Sequence, residues 1–176
     1  LADATTNAAS GITTIEYSAD GENWTTDVTK LTATNVADSK TIQVRASNPN
    51  YKNTATGSAA LTITARPVTF SAVSETREYT GRTITINGVD VTETAEGKGL
   101  VAEHKHNVTF SASGVDVGTY DGTITAKDDV VITAGEGEEA QDVTANYDIT
   151  VEPGALTIIQ TNTALTVSLE GATHAY

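Results

Sequence analysis

Few residues of this chain have types and spacings that could do chemistry. His104 and His106 in "AEHKHN" stand at i, i+2, which puts both imidazoles on one face of any strand, at a spacing that suits two metal ligands. Glu103 adjoins them but faces away, and Asp128 and Asp129 are further candidate metal ligands. Val108 and Phe110 share the histidine face, so the plainer reading makes both histidines rim residues of a core. A second stretch, "SADGENW", holds Asp20 and Trp24 just after Tyr17. Asp20-Gly21 supplies the positive φ of a tight hairpin and Trp24 packs on the following strand. The alternative is a small sugar-stacking patch made by Tyr17, Asp20 and Trp24.

Oxygen ligands for calcium are plentiful: Asp20, Glu22, Asp116, Asp121, Asp128, Asp129 and the loop from Glu136 to Asp142. The twelve-residue EF-hand loop pattern is nevertheless missing. A stabilising Lys–Asn isopeptide bond would need Asn146 beside Lys105 or Lys127, and the strand "RPVTFSAV" brings no Lys. Catalysis finds no support. Ser and Thr abound, but three His without a Gly-x-Ser-x-Gly turn make no nucleophile–base set, and no glycine-rich phosphate loop occurs. We expect neither catalytic residues nor a cofactor, with calcium as the one open candidate.

The elements that must carry these residues are strands. Thr makes up roughly a fifth of the chain, and β-branched side chains favour the extended backbone. No stretch keeps helical apolar spacing. In "TIQVRA" Ile42, Val44 and Ala46 alternate with Thr41, Gln43 and Arg45. Tyr120, Gly122, Ile124 and Ala126 form a second inward row, and Ala59, Leu61, Ile63 and Ala65 a third. Turn-forming stretches ("ADGEN", "NPN", "NGVD", "VEPG") interrupt the strands at short intervals, a pattern that predicts an all-β sandwich. The core should hold Val68, Phe70, Ile84, Val108, Phe110, Ile124, Leu156 and Ile158.

The chain carries 23 acidic and 10 basic residues, a formal charge of −13. That balance argues against nucleic acid and anionic lipid as partners and favours solubility. Cys is absent, so no disulfide framework exists. No apolar run approaches the roughly 20 residues of a transmembrane helix. "LADATTNAAS" lacks the basic start and apolar core of a signal peptide, and the other end shows no surface-anchoring tail. An exported parent protein would therefore hold this stretch in its middle.

The chain also repeats itself. Asn50-Tyr51 returns as Asn146-Tyr147 after 96 positions, Leu61 as Leu156 after 95, and Val68 and Phe70 as Leu165 and Val167 after 97. Tyr79 likewise pairs with Tyr176. A period this long is a whole domain. The division it predicts is a module over 1–65 lacking its opening strand, a complete module over 66–160, and the opening strand of a third over 161–176. Arg66-Pro67 joins the first two stiffly, since Pro fixes its own φ and keeps Arg66 extended. The second copy alone carries an insertion, 127–145, with a strand at Val130–Thr133 and the acidic loop "GEGEEAQD". As loops accommodate insertions at the surface, this is where the repeat could act individually.

Two motif sets resemble a known family. "IEYSADGENW" with "ASNPNY" is similar to bacterial surface repeats of the form Y-S-x-D-G-x-x-W and A-x-N-P-N-Y. "GVDVGTYDGTITA" with "ANYDITVEPGALTI" resembles the mostly-β, glycine-rich (MBG) repeats of such proteins. Together the matches cover most of residues 14–160, departing at "NVADSKT" and at the insertion. The resemblance implies tandem Ig-like sandwich modules arranged end to end in an exported, cell-surface bacterial protein or adhesin. They would act as non-catalytic stalk elements whose partners are neighbouring repeats. The alternative is a binding module for host glycan or protein, using the insertion or the Tyr17/Trp24 hairpin. The phase of the repeat adds one expectation: residues 161–176 of one chain can add as a strand to the incomplete first module of another.

Overall fold

The computed structural model describes residues 1–172 and 174, so Tyr176 and its pairing with Tyr79 lie outside the described residues. The chain is mostly β. Helical residues among those described are confined to five 3₁₀ turns of three residues each. In chain order the strands are β1 Thr14–Ser18, β2 Lys40–Ser47, β3 Ala55–Leu61, β4 Arg66–Ala72, β5 Glu75–Glu78, β6 Ile84–Asn87, β7 Val89–Val91 and β8 Lys105–His106. They continue with β9 Phe110–Gly114, β10 Gly118–Asp121, β11 Thr123–Ile124, β12 Ile132–Ala134, β13 Gln141–Asp142, β14 Tyr147–Glu152 and β15 Ala155–Ile159. They form small three-stranded sheets, in the orders β1–β2–β3, β10–β15–β5, β11–β9–β6, β13–β12–β8 and β14–β4–β7.

Two compact units share these strands. The first comprises Leu1–Val68, Glu93–Lys105 and Val131–Ile149; the second comprises Thr69–Thr92, His106–Val130 and Thr150–Tyr176. The first unit therefore gathers residues from both copies of the sequence repeat, because Glu93–Lys105 and most of the insertion group with the first copy.

Within the first unit β2 pairs antiparallel with both β1 and β3, and Glu16 stands opposite Arg45 and Tyr17 opposite Val44. Alternation sends Ile42 inward to meet Tyr17 and Val28, with Ile15, Leu31, Val44 and Leu61 packed around them. Within the second unit β15 lies between β10, antiparallel, and β5, parallel, while β9 lies between β6 and β11. Leu156 and Ile158 of β15 meet Phe110 and Ala112 of β9 and Ile86 of β6 in one cluster. Burying these side chains is the main favourable term, at about 25 cal/mol per Å² of apolar surface.

Of the expected core, Val68, Phe70, Val108, Phe110, Leu156 and Ile158 are buried, and Ile84 and Ile124 pack partly buried against the second cluster. Two alanines depart from expectation. Ala126 is exposed because β11 ends at Ile124 and Ala126 caps the 3₁₀ turn Lys127–Asp129. Ala59 is exposed because β3 is the outer strand of its sheet and all its residues but Leu61 face solvent. Gly122 shows why a glycine interrupts a strand pattern. A Cβ there would lie 2.0 Å from the Phe110 ring, a contact that demands movement of a side chain 4% exposed. Gly122→Ala should therefore cost about 1–3 kcal/mol by overpacking, read as a lower urea midpoint at unchanged slope.

Candidate functional site

The "SADGENW" stretch is a closed polar turn. Tyr17 and Thr25 exchange backbone hydrogen bonds of 2.7 and 2.9 Å, with Gly21 at φ +80° between them. Asp20 accepts at Oδ1 from Ser18 Oγ (2.9 Å) and from the backbone N–H groups of Glu22 and Asn23 (2.8 Å each). Its Oδ2 accepts from Asn23 Nδ2 at 2.7 Å. These donors, the Asn23 side chain first, hold the carboxyl well below the usual carboxylate range. Asp20 is thus the acceptor that shapes the hairpin.

The alternative reading of this stretch, a sugar-stacking patch of Tyr17, Asp20 and Trp24, meets a buried tyrosine. Tyr17 is only 5% exposed, and its hydroxyl accepts from the Ala4 N–H at 2.8 Å and donates to Asp3 at 3.4 Å. Alternation put its ring inside, so it offers no face to a sugar. Trp24 is half-buried; its Nε1 donates to Gly21 O (3.1 Å), and the Arg45 guanidinium sits 4.1 Å from its ring centroid. Arg45 in turn pairs with Glu16 at 2.8 Å across the ladder, so this indole face is covered by a cation held from behind.

The two histidines serve different ends. His104 Nδ1 lies 2.7 Å from Tyr147 Oη, and the rings meet edge to face at 5.9 Å. Tyr147 Oη also accepts from the Val101 N–H at 3.1 Å, so one hydroxyl ties His104 to the backbone at Val101. His106 instead packs on Phe70, with centroids 4.8 Å apart. Its Nδ1 is buried without a hydrogen-bond partner, and burial lowers its pKa from 6.5. Among the described residues no three His, Cys, Asp or Glu side chains gather to hold a metal. Asp128 and Asp129 lie exposed in the 3₁₀ turn after β11, where Asp129 O accepts from Asn107 Nδ2 at 2.9 Å.

The insertion is more than a solvated loop. β12 and β13 pair as a hairpin, Thr133 opposite Asp142. The Val143 N–H donates to Ile132 O at 2.9 Å and the Ile132 N–H donates to Thr144 Oγ1 at 2.8 Å. Val130 and Ile132 are 4% and 0% exposed. At its tip Glu138 and Glu139 face solvent, and Glu136 pairs with Lys105 at 2.6 Å. Sequence reasoning placed a strand here, Val130–Thr133, but treated the segment as surface.

One further feature had no signal of its own. Asn146, first noticed for the repeat and for isopeptide chemistry, accepts at Oδ1 from the Val36 N–H and donates from Nδ2 to Asn35 Oδ1, both at 2.8 Å. Arg66 donates from Nε to Gly99 O (2.7 Å) and from Nη2 to Ala95 O (2.6 Å) and Lys98 O. Between them opens a cleft of about 360 Å³, bordered by Asn35, Ile63, Arg66, Val101, His104, Val143, Asn146 and Tyr147. Its polar groups are largely engaged with one another. No protein-family model, curated protein or solved structure matches the chain.

Two measurements follow. The unfolded chain binds the His106 proton near 6.5, whereas the folded chain binds it only at lower pH. Between those values the unfolded state holds more protons, so stability is full above 6.5 and falls as pH is lowered through that window. His106→Phe should flatten this slope in denaturation curves taken between neutral pH and pH 5. Ile132→Ala should cost about 2–5 kcal/mol, an effect a solvated loop would not show; chemical denaturation reads it.

Proposed function

We propose that the chain is a run of tandem Ig-like β-sandwich modules, divided at 1–65, 66–160 and 161–176. In this reading it serves as a non-catalytic stalk or spacer of an exported bacterial surface protein or adhesin, and its motifs resemble MBG repeats. The Asn146 linkage carries the reading. One side-chain amide of the second copy engages Asn35 and Val36 of the first through both its oxygen and its nitrogen, and the Arg66 side chain anchors the junction strand on backbone carbonyls. Asn35, Arg66 and Asn146 all fall in one compact unit, so the two sequence copies meet there within one packed body rather than across a flexible tether. The cluster in which residues of three small sheets meet supports the sandwich. The net charge of −13 suits a surface kept soluble and away from polyanions. No helix among the described residues is long and apolar enough to cross a membrane. Neighbouring repeats are then the principal partners, and the setting is extracellular.

A second reading rests on the solvent-facing Glu138 and Glu139 at the insertion tip and on Trp24, through which a host glycan or protein could be bound. The two readings part on ligand binding. For the spacer, calcium should leave the melting temperature unchanged and a glycan array should show no signal that Trp24→Ala removes. A calcium site at a hundred times its Kd would stabilise the fold by about 2.7 kcal/mol, so a chelator-reversible rise in Tm would overturn the plain spacer.

A further inference from the structure

The cleft beside Asn146 is bordered by two polar groups that the fold leaves unspent. It measures about 360 Å³, and all its lining falls within the first compact unit. Arg66 borders it from the start of β4. Its Nε and Nη2 donate to the carbonyls of Gly99, Ala95 and Lys98, which takes three of the five N–H groups that a guanidinium carries. Nη1 donates to no described residue. Among the described residues only His106 Nδ1 is a buried side-chain N or O atom without a partner, so Nη1 is open to solvent. The same holds for Nε2 of His104, whose Nδ1 faces Tyr147.

The charge on Arg66 is met by no carboxylate. Ion pairs among the described residues join Arg45 to Glu16, Arg77 to Glu75 and Lys105 to Glu136. Neutral carbonyls satisfy N–H groups without cancelling the cation's charge. No Asp or Glu lines the cleft, although the chain carries 23 acidic residues. Asp38, bonded to the Asn35 border, has its Oδ2 occupied by the N–H groups of Thr34 and Asn35 at 3.0 and 2.8 Å. Most of the remaining lining is apolar, from Ile63, Val101, Ala134, Val143 and Tyr147. Small-molecule sites are typically hollows of about 300–1,000 Å³ with an apolar lining and a few fixed polar groups. Three carbonyl bonds hold the guanidinium in place before any ligand arrives, which lowers the ordering cost of binding.

We propose that this cleft binds a small organic carboxylate with an apolar body. The carboxylate accepts from Arg66 Nη1, His104 Nε2 offers a second polar contact, and the apolar body lies against Ile63, Val101 and Val143. Each half of that ligand answers one half of the lining. A neutral hydrocarbon leaves the Arg66 charge unmet, and a bare inorganic anion leaves the apolar lining wet. The site adds a ligand to the spacer reading without resting on it, since every border belongs to one unit.

The probe is phenylacetate, titrated into the full chain and followed through the amide resonances of the residues bordering the cleft. Saturable shifts are expected at Ile63, Val101 and Val143, weakening as salt is raised because part of the attraction is ionic. Phenylacetamide keeps the shape without the charge, and acetate keeps the charge without the ring. Each should bind at least about tenfold more weakly, the scale of one charge-assisted hydrogen bond or one buried apolar group. Arg66→Gln should abolish the shifts. Because Arg66 also fastens the turn in which Ala95 and Lys98 pair, Val101→Glu is measured beside it. Val101 is 36% exposed and meets Tyr147 through its backbone N–H. This variant should therefore keep the fold, as circular dichroism would show, while its carboxylate repels the probe. The proposal is overturned by phenylacetate shifts that fail to saturate at tens of millimolar, or by phenylacetamide or acetate binding as tightly. A folded Val101→Glu variant that binds like the parent, or shifts confined to other parts of the chain, would also overturn it. None of these results touches the spacer reading, which calcium and Trp24→Ala decide.

Discussion

A three-stranded sheet in water has an apolar face that something must cover, and this chain consists of such sheets. No disulfide relieves that demand, because there is no Cys. In the second unit the solution is mutual cover. Leu156 and Ile158 of one sheet close on Phe110, Ala112 and Ile86 of another, and Gly122 keeps room for the Phe110 ring. The first unit has a thinner apolar cluster around Tyr17, Val28 and Ile42. There, polar bonds of the kind made by Asp20, Asn146 and Arg66 hold loops that hydrophobic burial alone would leave loose.

The acidity of the chain reads differently once its partners are visible. Asp20, Asp27, Asp38 and Asp142 all accept hydrogen bonds from backbone N–H groups within four residues of themselves, and side-chain donors (Asn23, Thr29 and Thr144, for all but Asp38) together with those backbone donors hold all four below their ordinary pKa. Such carboxylates define turns. Lone pairs spent on local donors are not free for a cation, which is why a sequence dense in Asp and Glu need not hold a metal. The charge that remains is spread over the surface and acts through its field.

Fold and candidate site were legible to unequal degrees. Val68, Phe70, Phe110, Leu156 and Ile158 could be assigned to the interior from spacing, since strand geometry alternates side chains whatever the sheet's neighbours. Asp20-Gly21 was legible as a turn because its bonds are made within three residues. The candidate ligands were not, as their fate depends on distant partners: Tyr147 for His104 and Phe70 for His106. Tyr17 lost its place in a surface patch for the same reason.

The sequence alone determined that this protein is mostly β, where most of its inward rows run, and that it says the same thing twice about a hundred residues apart. Those are properties of local geometry and of the chain compared with itself. Only the tertiary structure decided that Val130 and Ile132 of the insertion turn inward, that β5 runs parallel to β15, that Asn146 reaches Asn35, and that β2 takes both β1 and β3 as partners. Each of those depends on which segment arrives beside which. A strand's pattern specifies that it needs a partner, and only long-range packing selects the partner it receives.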